Sequence, residues 1–182
     1  YIDTSGEPLS KRGYRTNPLY APMQETLAAA VVKATRLKSS ENFINPMCGS
    51  GTLAIEAALQ CINRAPGSIR KNFGFMHTLF YRKEVWDELV REAASRERAE
   101  SGRIIATDIN DDAIKAAYNH ARLAGVDRLI DFKAVDFEET QIPDGAGVVV
   151  FNPEYGIRLG DESELGQTYR RIGNFLKKRC QG

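Results

Sequence analysis

The sequence predicts an α/β fold built on an open parallel sheet covered by helices. Four short apolar runs, NFIN (42–45), RIIAT (103–107), LIDFKAV (129–135) and AGVVVF (146–151), are separated by segments of helical period. Strands that are apolar at consecutive positions belong to a sheet buried on both faces, as in parallel α/β architecture. Each run also closes on a polar residue, Asn45, Asp108, Asp136 or Asn152, and ligands of an open parallel sheet gather at those carboxyl ends.

Taken in order, Pro22 is expected to open a first helix, PMQETLAAAVVKATRL, with Leu27, Ala30, Val31 and Ala34 on its apolar face. The first strand then runs into PMCGSGT and a second helix that reaches about Asn63, stopped by Pro66-Gly67. Residues 64–82 read as irregular, basic and aromatic, and a third helix covers about 83–99 with Trp86, Leu89, Val90 and Ala93 in one stripe. After the second strand, Asn110 or Asp111 caps a helix carrying Ile114, Ala117, Tyr118 and Ala121, and Gly125 ends it. After the fourth strand, Ser163 is expected to cap a last helix with Leu165, Tyr169, Ile172 and Leu176 at core spacing.

At 182 residues the chain suits one domain with a sizeable core. A formal net charge of +1 gives the whole chain no polyanion-binding character, so any nucleic-acid surface is a local patch. Cys48, Cys61 and Cys180 form no CxxC pair and there are two histidines, which argues against a disulfide framework or a metal site and for a reducing cytoplasm. No apolar stretch approaches the roughly 18 residues of a membrane span. Because the chain opens in mid-phrase without Met, it is expected to be a piece of a longer protein.

The chemistry concentrates at the strand ends. CGSGTLA (48–54) has the form G-x-G-x-x-A between a strand and a helix, where glycine permits a tight turn and the helix start offers free N–H groups. The same loop fits a plain strand-to-helix turn equally well. Asp108, followed by Ile109, is placed to accept ribose hydroxyls, although near NDD it also reads as a helix-capping carboxylate. Asp136 with Phe137 is placed to take an exocyclic adenine amine and flank its ring, and also reads as a loop aspartate. Asn152-Pro153-x-Tyr155 supplies two acceptors, the amide oxygen and the prolyl carbonyl, beside an aromatic ring. Acceptors on both N–H bonds of a base amine free the nitrogen lone pair, and the ring holds the base by stacking. Cys48 lacks a nearby base and reads as packing.

Quoted in order, TSGEPLSKRGYR, APMQETLAAA, NPMCGSGTLAIEAA, APG with FGF, TDIN, and NPEYGIRL followed by ELGQTYRRIGNFLK resemble successive blocks of the bacterial ribosomal RNA guanine N2-methyltransferase family. Members of that family often carry the label of N6-adenine-specific DNA methylases. The resemblance covers nearly the whole chain. It implies a Rossmann-like fold, S-adenosylmethionine as cofactor, ribosomal RNA as substrate, a cytoplasmic enzyme and an upstream THUMP domain. On this reading residues 1–182 are part of a methyltransferase domain: residues 1–40 an N-terminal segment with a cofactor-closing helix, and 41–182 the core, with an insertion at about 64–99 and the later strands missing.

Carried over by position, Pro22 to Thr26 match the helix start that closes over the cofactor, and Asn45 with Gly49, Ser50, Gly51 and Thr52 match the cofactor loop. Asp108 matches the ribose acid, Asp136 the adenine-side acid, and Asn152, Pro153 and Tyr155 the target-base motif. Glu154 stands where the family has a second proline, which restores a backbone donor and frees φ, and Asn45 stands where aspartate is common. Basic clusters at Lys11-Arg12-Arg15, Arg64-Arg70-Lys71, and Arg170-Arg171 with Lys177 to Arg179 are expected to meet RNA phosphates or to form a solvated face. The alternatives on residues alone are an adenine N6 methyltransferase on DNA or RNA, an NAD-binding oxidoreductase, and an inactive RNA-binding module. NPEY has no role in hydride transfer, and no Tyr-x-x-x-Lys is present.

Overall fold

The structure, a computed structural model, describes residues 3–15, 23–153 and 162–180. Its elements are α1 (Glu25–Ala34), β1 (Asn42–Pro46), α2 (Thr52–Cys61), α3 (Lys83–Ser95), β2 (Ile104–Asp108), α4 (Asp111–Ala124), β3 (Ile130–Ala134), β4 (Gly147–Val149) and α5 (Glu162–Arg179). The strands form a four-stranded sheet in the order β3-β2-β1-β4, every pair parallel. The chain therefore builds outward from β1 through β2 to β3, then crosses back to place β4 on the other flank of β1. Phe43 pairs with Ile104 on one side and Val148 on the other, so β1 lies inside the sheet.

The main core joins β1 and β2 to α1, α2 and α4 through Phe43, Ile104, Ile55, Leu59, Val32 and Ala121. A smaller cluster of Phe137, Ile172 and Phe175 lies between the turn after β3 and α5. Asn110 caps α4 by accepting from the Asp112 and Ala113 N–H groups, and Gly125 ends it at φ 69°.

Four helix faces differ from the expected stripes. In α1 the buried residues are Glu25, Ala28 and Val32, while Leu27 is exposed. In α4 they are Ala113, Ala117, His120, Ala121 and Ala124, with Tyr118 outward. In α5 Phe175 replaces Tyr169 as an inward residue beside Ile172. No residue of α3 is buried, and Leu89 is 52 % exposed. Helix α1 starts at Glu25, and Pro22 lies outside the described residues. In the segment 64–99, Phe73, Phe75, Tyr81 and Trp86 pack on one another at centroid distances of 5.1–6.1 Å. Arg64 pins its start, donating to the Ala124 and Gly125 carbonyls at the end of α4 and pairing with Glu97 at 2.8 Å.

The N-terminal arm is held by charges that composition does not show. Glu56, alone among apolar residues of α2, is 2 % exposed and accepts from Tyr14 Oη at 3.0 Å and Arg12 Nε at 3.4 Å. Burial raises its carboxyl above the ordinary value, against the pull of Arg12. Arg15 donates to Thr52 Oγ1 and the Met23 carbonyl and lies 3.5 Å from Glu25. The arm thus ends against the first residue of α2. Removing the phenol from this buried pair by Tyr14→Phe should lower the unfolding free energy by about 1.5 kcal/mol. Urea denaturation measures it, and an unchanged midpoint would show that the hydroxyl is dispensable.

Candidate active site

Strand order reverses at β1, which has β2 on one flank and β4 on the other, and ligands of an open parallel sheet bind in the crevice expected beyond the strand ends at such a reversal. Asn45 bridges its floor: fully buried, it donates from Nδ2 to the Val150 carbonyl at 2.9 Å. Its Oδ1 is buried with no hydrogen-bond partner among the described residues.

The glycine loop is locked from three directions. Cys48 N–H donates to the Thr107 carbonyl at 2.9 Å, Gly49 N–H to Asp108 Oδ2 at 2.8 Å, and Gly51 N–H back to the Cys48 carbonyl at 3.0 Å. From beneath, His120 of α4 places Nδ1 3.2 Å from the Ser50 carbonyl. Of the structural or exposed roles open to His120 from the sequence, the structure shows the first: it is buried beneath the loop, at helical spacing from Ala113 and Ala117 on the inner face of α4. The loop backbone is left-handed at Met47, Gly49 and Gly51, with φ of 56°, 54° and 78°. A Cβ on Gly51 would lie 2.8 Å from Ala117 Cβ, whereas one on Gly49 would meet nothing within 4 Å. Gly51 is a packing necessity, and Gly49 faces open space. The first turn of α2 presents N–H groups that have no intrahelical partner by construction of a helix start.

Asp108 uses both oxygens locally, Oδ2 for Gly49 N–H and Oδ1 for Asn110 N–H at 2.9 Å, which fixes the carboxylate between two loops with lone pairs to spare. Ile109 beside it is 74 % exposed. Asp136 caps the turn Phe137–Glu139 and is paired with Arg171 Nη2, 2.9 Å from each of its oxygens. Burial acts upward on its carboxyl, but the Glu138 N–H and the Arg171 charge outweigh it and hold the group below its ordinary value. Phe137 does not stand free to flank a base. It is 6 % exposed, edge-on to Phe151 and Phe175, with Arg171 over its face. Apolar burial outweighs the expected exposure there.

Asn152 is exposed just past β4 and Pro153 is half-buried. Tyr155 and Glu154 lie outside the described residues, as does Pro22. Thr26 is half-buried in the first turn of α1, while Ser50 and Thr52 are buried with hydroxyls 3.4 Å apart. Burial first, and the Asp108 charge second, push the Cys48 thiol up, which favours the neutral thiol and fits a packing role. The basic clusters divide: Arg12 and Arg15 turn to Glu56 and Glu25, Arg64 to Glu97, and Arg171 to Asp136 and Glu138, whereas Lys71, Arg170 and Lys177 to Arg179 are exposed. Among the described residues there is no group of three or more His, Cys, Asp or Glu arranged for a metal, and no helix long and apolar enough to cross a membrane.

A glycine loop running from the central strand into a helix, beside a sheet reversal, with carboxylates after the next two strands, defines a Rossmann-like domain of the S-adenosylmethionine-dependent methyltransferase class. Within that class the chain belongs to the RMKL-like methyltransferase domain family, whose model matches residues 12–182. The ribosomal RNA large subunit methyltransferase K/L of Syntrophotalea carbinolica is 41 % identical over 100 % of this chain, which covers 27 % of that protein. That of Vibrio campbellii is 41 % identical over 100 % of the chain and 26 % of its own length. Among solved structures, a predicted N6-adenine-specific DNA methylase from Listeria monocytogenes is 40 % identical, covers 97 % of this chain and 46 % of its own, and superposes with a TM-score of 0.87. SMU.472, crystallised with SAH, superposes with a TM-score of 0.88 at 29 % identity, over 96 % of this chain and 46 % of its own. The chain therefore spans about a quarter of the curated relatives' length.

Gly51→Ala should cost about 2–4 kcal/mol, combining a strained left-handed residue with overpacking against Ala117. Gly49→Ala should cost about 1 kcal/mol, from backbone strain alone. Thermal unfolding of the two variants checks the order, and equal losses would mean that α4 yields at Ala117.

Proposed function

We propose that this domain transfers the methyl group of S-adenosylmethionine to an exocyclic base amine, guanine N2 of large-subunit ribosomal RNA. The observation that carries the reading is that the glycine loop, the Asp108 carboxylate and the Asn152-Pro153 strand end all lie at the carboxyl ends of the strands beside one sheet reversal. Three features fit the cofactor: the open space at Gly49, the unpartnered N–H groups at the start of α2, and the fixed carboxylates of Asp108 and Asp136. The buried Asn45 Oδ1 is a further acceptor at the same floor.

When bound, the cofactor supplies an electrophilic sulfonium methyl. The protein's part is to orient and to redistribute electrons at the amine. Asp108 accepts from the ribose hydroxyls, with Ile109 against the adenine face. Asp136 accepts from the purine amine, and the first turn of α2 receives the methionine end. Asn152 Oδ1 and the Pro153 carbonyl accept the two N–H bonds of the target amine, which localises its lone pair toward the methyl, while Tyr155 stacks on the base. The proton leaves to water after transfer, so no strong base is required.

The relatives named ribosomal RNA large subunit methyltransferases support an RNA substrate, in which guanine N2 is the target proposed. The Listeria protein's name supports adenine N6, which offers the same two donors, and nucleoside mass spectrometry of the methylated product separates them. We place the activity in the cytoplasm, with an upstream THUMP domain presenting the RNA and residues 64–99 as an insertion of the core.

In the full-length protein, Asp108→Ala should weaken S-adenosylmethionine binding by about 1.5–3 kcal/mol for each charged hydrogen bond lost. Calorimetry measures this, and tighter binding of NAD by the unmodified protein would overturn the methyltransferase reading. Asn152→Ala should lower kcat at least about a hundredfold while cofactor affinity changes less than about twofold, as expected of an interaction made in the transition state. Turnover within a few-fold of the parent would reduce Asn152 to a turn residue.

A further inference from the structure

Helix α5 lies outside the main core, yet it reaches the turn after β3 with a cation and an aromatic ring. Arg171 Nη2 lies 2.9 Å from both oxygens of Asp136 and 2.6 Å from Glu138 Oε2, while its Nε lies 3.1 Å from the same Glu138 oxygen. The guanidinium carbon stands 4.8 Å above the Phe137 ring. One turn on, Phe175 meets Phe137 and Phe151 edge-on at 6.1 and 5.9 Å. Phe151 immediately precedes Asn152. One cluster thus spans the turn after β3, the end of β4 and α5.

A local cap would need only the bond that Asp136 already accepts from Glu138 N–H at 2.9 Å. The guanidinium adds a second restraint on the same carboxylate, with its carbon seated over the Phe137 ring. Asp136 is thereby kept ionised and acceptor-only, in one orientation, with 29 % of its side chain still exposed. An acceptor fixed in this way favours an amine over a carbonyl at the same position of a purine, because the carbonyl would face it lone pair to lone pair. Two carboxylates share one cation, so the pair is not saturated by Arg171.

We propose that Arg171 is a positioning residue for cofactor recognition: clamped on Asp136 and stacked on Phe137, it sets the carboxylate that selects an adenine amine over a purine carbonyl. This rests on the reading that Asp136 faces the purine of the cofactor. The contribution is to discrimination between ligands, not to the methyl-transfer step.

The test is calorimetric binding of S-adenosylhomocysteine and S-inosylhomocysteine, in which a carbonyl replaces the amine, to the full-length protein and three variants. The parent should prefer the adenosyl ligand by about tenfold or more, the worth of one hydrogen bond to a charged group. Arg171→Met, which keeps the stem over Phe137, should cut that preference at least about threefold, and Arg171→Lys should retain most of it. Equal weakening of both ligands in Arg171→Met, or no change in either, overturns the proposal and leaves a surface ion pair. If Arg171→Met fails to fold, a preference in Arg171→Lys cut as deeply as in Asp136→Asn supports the proposal, and parental preference overturns it. Asp136→Asn tests the reading beneath: if it keeps the parental preference, or the parent has none, the purine-side assignment itself falls. A loss in Asp136→Asn with none in Arg171→Met overturns only the role of Arg171.

Discussion

The reversal of strand order beside β1 is the constraint on which the rest of the structure depends. An open parallel sheet receives its ligands in the crevice beyond the strand ends at such a reversal. The protein does not leave the floor of that crevice soft. Asn45 ties β1 to the end of β4 through the Val150 carbonyl, and backbone bonds from Cys48 and Gly49 tie the first loop to Thr107 and Asp108. With Gly51 pressed on Ala117 and the Ser50 carbonyl held by His120, the peptide from 50 to 51 is fixed at both ends. A rigid loop matters because a helix start recognises an anion or polar group only if its N–H groups are aimed before the ligand arrives.

That rigidity has a counterpart in the N-terminal arm. Burying Glu56 with Tyr14 and Arg12 contributes little net stability, since desolvation offsets most of the attraction. What such a group does impose is register. An arm displaced by one residue would strand Glu56 uncompensated, and Arg15 would leave Thr52 and Glu25. The arm is thus delivered to the start of α2 by charge matching on a helix flank, while apolar packing at Tyr14 and Ile69 holds it there.

How much of this can be read in the chain depends on how local the cause is. Strand ends, the Asn110 cap and the Gly125 stop are local, and each falls within a residue or two of its expected place. Helix faces were less legible. Alanine-rich helices such as ETLAAAVVKA are apolar nearly all round, so the stripe that meets the sheet is chosen by tertiary contact, and Leu27 loses to Ala28 and Val32. Tyr169 and Phe175 compete in the same way, and the phenylalanine, with no hydroxyl to satisfy, takes the interior. The site shows the same division. The loop and the carboxylates were legible because they sit at strand ends, whereas the inward turn of Phe137 and the Asp136–Arg171 pair depend on partners 14 to 38 residues away.

The pairing of the arginines bears on how a polyanion would be held. Cations that composition offers to phosphates, Arg12, Arg15, Arg64 and Arg171, are engaged with carboxylates, and a net charge of +1 leaves little long-range attraction. Nucleic-acid affinity that rests on phosphate contacts grows with the number of free cations, and the exposed ones, Lys71, Arg170 and Lys177 to Arg179, are those left to make them. On the proposed reading, the work divides between geometry at the target nucleotide and phosphate contacts from such exposed cations. Such a division suits an amine target. Its reactivity is governed by acceptors placed to within a few tenths of an ångström, which a rigid crevice provides and a dense positive surface would not.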